Sequence, residues 1–403
     1  MPKLLIIADD LTGALDTGVK FAEAGLSTAV STRWKDGAVT LDANVAVLCA
    51  DTRHLSPERA YEAIRGVVEA NTARFPLIMK KTDSGLRGNI GAELHGVLDG
   101  SGEDLLAFLP ALPEMDRVTR GGVQYISGEP VSRSVFGRDP FEPVLEDDIS
   151  RLLGRQCSVP SRVIPRDVRA ELPPAGEKTI LIYDAETAED MRRITAEVLE
   201  SGRVRMLAGC AGLAQALSSQ LASSGRKEEC EETWQPLLVV CGSVNRISKA
   251  QLDYAEKQGM PRFRLPMEFL MDERPFEGDN EVLDRLLEAC RAPGTVLVDT
   301  GDSAGSGNGS LTPEELERRR AGISRRLGAM VKALMDRGMD RRILIIGGDT
   351  LLELINGLDC TTFSPLDEPA PGVVHSSLPY RGRERHILSK SGGFGEEDLL
   401  VKL

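Results

Sequence analysis

The chain reads as an α/β protein of two domains, each built on a mostly parallel sheet. Three observations predict this. Short apolar runs alternate with longer amphipathic stretches, the pattern of βα units. At 403 residues the chain exceeds what one hydrophobic core usually organises. A polar, charged segment without apolar period, Ser223 to Gln235, splits the alternation in two. The domains are therefore placed at residues 1–225 and 236–403.

The first run, Leu4-Leu5-Ile6-Ile7-Ala8, is continuously apolar, as a strand covered on both faces must be. It opens into Asp9-Asp10-Leu11-Thr12-Gly13, and a helix is expected over Ala14–Glu23. Two carboxylates, a hydroxyl and a glycine thus stand at a strand's carboxyl end, where open α/β sheets bind ligands. Such an acid pair can orient a polyol, accept a proton or reach a metal. Asp9 or Thr12 could also simply cap the helix. Further strands are expected at Val45–Cys49, Leu77–Lys80, Leu105–Leu109, Thr179–Tyr183 and Val204–Ala208. Helices are expected at Pro57–Ala70, Gly91–Leu98, Ala188–Glu200 and Leu213–Ala222.

After the strand at Leu77 comes a dense polar cluster, Lys80-Lys81-Thr82-Asp83-Ser84-Gly85-Leu86-Arg87-Gly88-Asn89. Arg87 could grip a carboxylate with two parallel hydrogen bonds. Lys80 and Asp83 could serve hydroxyl groups, and Asp83 with Arg87 could instead form a helix-cap salt bridge. The strand at Leu105 leads into Pro110-Ala111-Leu112-Pro113-Glu114-Met115-Asp116-Arg117, whose prolines shape a loop. Arg117 is a second candidate anion contact.

In the second stretch, strands are expected at Leu237–Cys241, Thr295–Val298 and Ile343–Ile346, with helices at Ser248–Gln258, Asn280–Ala289 and Pro313–Asp336. Gly301 to Ser310 is low-complexity and reads as a surface loop, with a nucleotide lid as the alternative. Three glycine turns stand out: Gly242-Ser243, Gly347-Gly348-Asp349-Thr350 before a helix at Leu351–Asn356, and Lys390-Ser391-Gly392-Gly393-Phe394-Gly395. Amides at a helix N-terminus can cradle phosphates. Neither GxxxxGK[ST] nor GxGxxG occurs, so standard P-loop and dinucleotide binding are not supported.

Composition narrows the partners. A formal net charge of -13 argues against nucleic acid or an anionic membrane. No apolar stretch approaches the roughly 20 residues of a membrane span. Met1-Pro2-Lys3 runs straight into a strand, unlike a signal peptide. The seven cysteines are scattered without a CxxC, and histidines number only four, so zinc and a Cys-His nucleophile pair are disfavoured. Reduced thiols in a cytoplasmic protein are expected, and a homodimer would be unsurprising.

Together these segments resemble the four-carbon acid sugar kinase family, whose members phosphorylate threonate, erythronate or oxo-tetronates with ATP. The resemblance rests on Asp9–Ala14 (DDLTGA), Lys81–Asn89 (KTDSGLRGN), Pro110–Arg117 (PALPEMDR), Gly347–Thr350 (GGDT), Pro371-Gly372-Val373 and Lys390–Gly395 (KSGGFG). They occur in this order over nearly the whole chain. The resemblance implies an N-terminal acid-sugar-binding domain and a C-terminal nucleotide-binding domain meeting across an interdomain cleft. It places substrate contacts on Asp9, Asp10, Lys81, Asp83, Arg87 and Arg117. Thr12 and Ser84 join them from the same motifs. ATP contacts fall on Ser243, Gly347, Gly348, Thr350, Gly392 and Gly393, with Asp349 beside them. The sequence departs from the family at Val244-Asn245-Arg246-Ile247, where small or hydroxyl residues are usual, and at Asp349, where glutamate is common.

The expected chemistry is phosphoryl transfer to the terminal hydroxyl of a four-carbon acid. Arg87, aided by Lys81, would bind the carboxylate, and Asp9 or Asp10 would orient the hydroxyl and take its proton. Mg²⁺ would bridge ATP oxygens cradled by Gly347, Gly348 and Thr350, and no residue is assigned to the metal. Two alternatives stay open: a non-catalytic sugar-acid sensor, suggested by the altered stretch after Ser243, and a kinase of another small polyhydroxy acid.

Overall fold

Strand β1 (Leu4–Ala8) leads into α1 (Leu11–Glu23), β2 (Thr28–Ser31), β3 (Val45–Cys49), α2 (Pro57–Asn71), β4 (Leu77–Lys81), α3 (Ile90–Ser101) and β5 (Leu105–Leu109). A small antiparallel ribbon follows: β6 (Arg117–Arg120), β7 (Val123–Ile126) and β8 (Glu129–Pro130). Then come α4 (Ile149–Gly154), β9 (Ser161–Ile164), β10 (Thr179–Tyr183), α5 (Ala188–Glu200), β11 (Met206–Gly209) and α6 (Ala211–Leu221). These coordinates are a computed structural model that describes residues 3–34, 37–139, 142–222, 234, 236–276, 278, 280–301 and 312–403. The chain divides into two compact units, Met1–Lys227 and Glu228–Leu403. Apart from Trp234, the polar segment Ser223–Gln235 lies outside the described residues, as does all but Gly301 of the low-complexity stretch Gly301–Ser310.

The main sheet of the first unit runs β2-β3-β1-β4-β11-β5-β10-β9, every neighbour parallel. The chain leaves β1 for β2 and β3 on one side, then crosses to β4 on the other. The order therefore reverses beside β1, and the carboxyl ends of β1 and β4 flank the crevice where open sheets take ligands. Ala8 pairs with both Cys49 and Lys81, so the residues after each strand emerge at one level. Leu5, Ile7, Leu48, Ile78, Leu106 and Phe108 lie in one buried cluster beneath that edge. Each such side chain contributes roughly 1.5–3 kcal/mol on burial.

Helix α1 starts three residues before the periodicity suggests, because Asp10 caps it. Strand β2 went unread, since Thr28-Ala29-Val30-Ser31 is too short to show a period.

The second unit contains β12 (Leu237–Cys241), α7 (Arg246–Lys257), β13 (Arg262–Arg264), α8 (Met267–Leu270), α9 (Glu281–Arg291), β14 (Val296–Asp299) and α10 (Pro313–Asp336). It continues with β15 (Arg342–Ile346), α11 (Gly348–Gly357), β16 (Thr362–Ala370), β17 (Val373–Tyr380), β18 (Arg383–Lys390) and α12 (Leu399–Lys402). Its strands run β13-β14-β12-β15-β18 in parallel, then β17 and β16 antiparallel. The antiparallel pair was not predicted. Pro365 and register shifts on either side of Asp367 break the alternation that would have revealed β16. Both units are nonetheless α/β with mostly parallel sheets, as the sequence predicts. Among the described residues no helix is long and apolar enough to cross a membrane.

Candidate active site

The first centre gathers around one guanidinium. Asp9 and Asp10 leave β1, and Asp10 caps α1, accepting from the Gly13 amide at 3.0 Å and the Thr12 hydroxyl at 2.8 Å. The cap is therefore Asp10 and not Asp9 or Thr12, as the capping alternative had it, and capping is only part of its bonding. Arg53 donates through Nε to Asp9 at 2.7 Å and through Nη1 to Asp10 at 2.8 Å, while its Nη2 lies 3.9 Å from Asp83. Asn89 holds that loop, its side-chain amide facing the carbonyls of Thr52, Arg53 and Leu55 at 3.1, 3.3 and 2.8 Å. Burial pushes the Asp10 carboxyl up, but the charges of Arg53 and Lys81 outweigh it and hold the pKa at about 2. Asp83 is likewise held well below the carboxylate range, with burial opposed by Arg87 and Arg53. The Asp10 side chain is 21% exposed and that of Asp9 only 3%, so Asp10 is the more open of the pair.

The neighbouring lysines take opposite faces of β4, as successive strand residues must. Lys80, expected to serve hydroxyls, is instead fully buried against Glu93 at 3.1 Å, and Glu93 also accepts from Thr52. Burial raises the Glu93 pKa. Lys81 turns towards α1, where its Nζ lies 3.9 Å from Asp9 Oδ1. A side chain at Gly13 would overlap that ammonium and Asp10, so glycine is what lets Lys81 approach. Asp9 Oδ1 is buried without a hydrogen-bond partner, a state that costs about 1–3 kcal/mol unless a donor reaches it.

Arg87 is more committed than its motif suggests. It donates to Asp83 through Nε at 3.1 Å and Nη2 at 2.9 Å, and through Nη1 to Asp139 at 3.1 Å. This is the Asp83–Arg87 salt bridge, formed in the turn before α3. Arg117 donates to the Ser84 hydroxyl, and Gln124 donates to the Ser84 carbonyl at 3.2 Å. One connected network therefore joins Asp9, Asp10, Thr12, Lys81, Asp83 and Arg87 at the β1–β4 edge, with Ser84 and Arg117 beside it. Arg53 and Arg87 also border a cavity of about 400 Å³ shared with Asn89, Glu142, Arg155 and Gln156. Sequence reading missed Arg53 and Asp139. The signal for Arg53 was available: Thr52-Arg53-His54 follows the apolar run of β3 as the aspartates follow β1.

The second unit brings its three glycine turns to one sheet edge, because β12, β15 and β18 are adjacent and parallel. A Cβ at Gly242 would overlap the Thr350 hydroxyl, and one at Gly392 would overlap the Ser243 hydroxyl. Gly347 turns with φ 121°, open only to glycine, and α11 starts there without a side-chain cap. First-turn amides left this way suit an anion. Ser248 donates to the Gly392 carbonyl at 2.8 Å, and Gln251 faces the carbonyls of Phe394, Gly395 and Glu396, fixing the last turn. Gly372 belongs to the same assembly, since the Ser391 amide donates to its carbonyl at 3.3 Å. Asp349 pairs with Arg320 at 3.4 Å. In the divergent stretch Asn245 caps α7, accepting from the Ile247 amide at 2.9 Å, and Ser243 Oγ accepts from the Asn245 amide at 3.2 Å. Val244 and Ile247 point outward. Among the described residues no group of three or more His, Cys, Asp or Glu is arranged to hold a metal.

Comparison with known proteins gives matches over both units. Residues 4–217 match a family described as a sugar-binding N-terminal domain, and residues 238–400 one described as a nucleotide-binding C-terminal domain. The chain is 26% identical to a D-threonate kinase of Salmonella typhimurium, over 99% of this chain and 96% of the relative. It is 26% identical to a 3-oxo-tetronate kinase of Pseudomonas fluorescens, over 100% of this chain and 96% of the relative. A D-erythronate kinase of Heliobacterium modesticaldum is 28% identical over 64% of this chain and 61% of its own. A solved Haemophilus influenzae protein superposes with a TM-score of 0.68 at 20% identity, covering 98% of this chain and 97% of its own. At that identity the likeness concerns the fold alone.

Proposed function

The chain belongs to the four-carbon acid sugar kinase family, and from that premise we propose that it transfers the γ-phosphate of ATP to the terminal hydroxyl of a four-carbon sugar acid. Residues 1–225 would carry the acid and residues 236–403 the nucleotide. The observation that carries this reading is the charge layout at the β1–β4 edge, where a partly open carboxylate, Asp10, shares one network with Lys81 and Arg87, and Arg117 stands beside it. An acid with a chain of hydroxyls needs such a mixture: cations for one end, carboxylates for the other.

Phosphoryl transfer asks the protein mainly for position and charge. Asp10 would orient the attacking hydroxyl and receive its proton late, as a weak base can in a loose transition state. Asp9 Oδ1 would accept from a second hydroxyl, which supplies the donor that this buried oxygen lacks. Arg87 and Arg117 would meet the carboxylate, aided by Lys81. On the nucleotide side, Ser243, Gly347, Gly348, Thr350, Gly392 and Gly393 fit polyphosphate, because side chains at Gly242 or Gly392 would fill the space between the turns. Mg²⁺ supplies charge neutralisation at the β- and γ-phosphates when bound. The ion is commonly held by one or two carboxylates plus phosphates, and Asp349, in the first turn of α11, would be the carboxylate. In the divergent Val244–Ile247 stretch Asn245 caps α7, an arrangement compatible with an open turn beside Ser243. A cytoplasmic setting suits such an enzyme.

The test is ADP release with Mg-ATP across D- and L-threonate, D- and L-erythronate and their 2- and 3-oxo forms. Turnover on at least one acid is expected. Silence across the panel from folded protein would refute the four-carbon acid kinase reading in favour of a sensor or a kinase of another polyhydroxy acid.

A further inference from the structure

Phe136 lies in the segment between the β6–β8 ribbon and α4, in no motif that the sequence singles out. Its ring centroid is 5.2 Å from the guanidinium carbon of Arg87 and 5.1 Å from that of Arg117. Gly85 backs onto the same ring, since a Cβ there would overlap three of its atoms. The segment is well tied: the Phe136 amide donates to Ser134 Oγ at 3.1 Å, and its carbonyl accepts from the Val144 amide at 3.0 Å. Asp139, whose amide donates to the same carbonyl at 3.3 Å, takes Arg87 at 3.1 Å. Phe136 also packs on the main core of the unit.

Two guanidiniums brought together repel, and Asp83 and Asp139 hold the tip of Arg87 while Ser84 takes that of Arg117. The negative face of an aromatic ring attracts both and offers planar groups a flat support. We propose that Phe136 is a positioning residue that holds Arg87 and Arg117 on one ring as a two-armed grip for the substrate's carboxylate. This rests on the kinase reading given above. The two arginines come from different parts of the chain, one after β4 and one at the start of β6, so neither strand alone sets their spacing. The ring sets it.

The test compares Phe136→Leu, which keeps apolar bulk, with Phe136→Tyr, which keeps the aromatic face. Phe136→Leu is expected to raise KM for the acid about tenfold, with kcat and KM for ATP within about twofold, and Phe136→Tyr to restore KM. An unchanged acid KM in Phe136→Leu, or equal losses in kcat and ATP affinity, would overturn the role. A second readout needs no turnover: the Nε–Hε NMR signals of Arg87 and Arg117 should show ring-current shifts that Phe136→Leu abolishes in both. Signals that stay put would overturn the proposal even in protein that phosphorylates nothing. A wild type with shifted signals but no turnover would instead refute the kinase reading and leave the grip standing.

Discussion

Asp10 carries two duties, and its chemistry shows the strain between them. As the cap of α1 it accepts hydrogen bonds, and as a partner of Arg53 it is held ionised down to about pH 2. Because this value lies below its ordinary 3.8, Asp10 stabilises the fold fully above about pH 4 and loses that contribution as pH falls through about 2. A base so acidic cannot impose an acidic limb on turnover near neutrality. With both substrates saturating, kcat should show no loss assignable to Asp10 between about pH 5 and pH 7. Asp10→Asn separates the duties, since asparagine caps as well as aspartate but cannot take a proton. At neutral pH its melting temperature should fall by several degrees, from loss of the charge facing Arg53 and not of the cap, while kcat falls by about 100-fold or more. Near-normal turnover in Asp10→Asn would remove the base role. The paired aspartates were legible from sequence because they follow a plain strand. Arg53 also follows an apolar run, but its pairing with the aspartates was not legible: it comes from the loop after another strand, and only the parallel pairing of β1 with β3 brings it there.

At the scale of elements, the strand–turn–helix units were readable where apolar runs end in glycine or acid. What escaped was pairing. Each glycine turn is weak evidence by itself, and their force comes from β12, β15 and β18 lying side by side, an adjacency no local pattern encodes. Lys80 and Lys81 show the same limit at finer grain. Composition makes them equivalent, but the alternation of β4 sends one into a buried ion pair and the other to the ligand edge. Packing of the turns yields a prediction. In Gly392→Ala the new methyl would press on the Ser243 hydroxyl, so KM for ATP should rise at least about tenfold while KM for the acid holds within about twofold. Steady-state kinetics with each substrate varied in turn checks this, and equal effects on both constants would argue that the turns serve general stability.

For the whole molecule, two units with separate cores carry two kinds of chemistry. One presents carboxylates, cations and a paired arginine grip, and the other presents amides and hydroxyls around open turns. Division of labour of this kind suits two ligands of unlike chemistry. Which four-carbon acid fills the first site turns on side-chain placement that no motif spells out. In the proposed reaction the aspartate centre directs phosphate onto the acid's terminal hydroxyl. The most direct measurement is phosphorus–proton NMR of completed reactions with Mg-ATP and the best acid of the panel, run for wild type and Asp10→Asn in parallel. Phosphorus coupled to the C4 protons in the wild-type product, with no such signal from Asp10→Asn over the same period, is the predicted result. Phosphate on another carbon, or the same product formed at the same rate by Asp10→Asn, would contradict it.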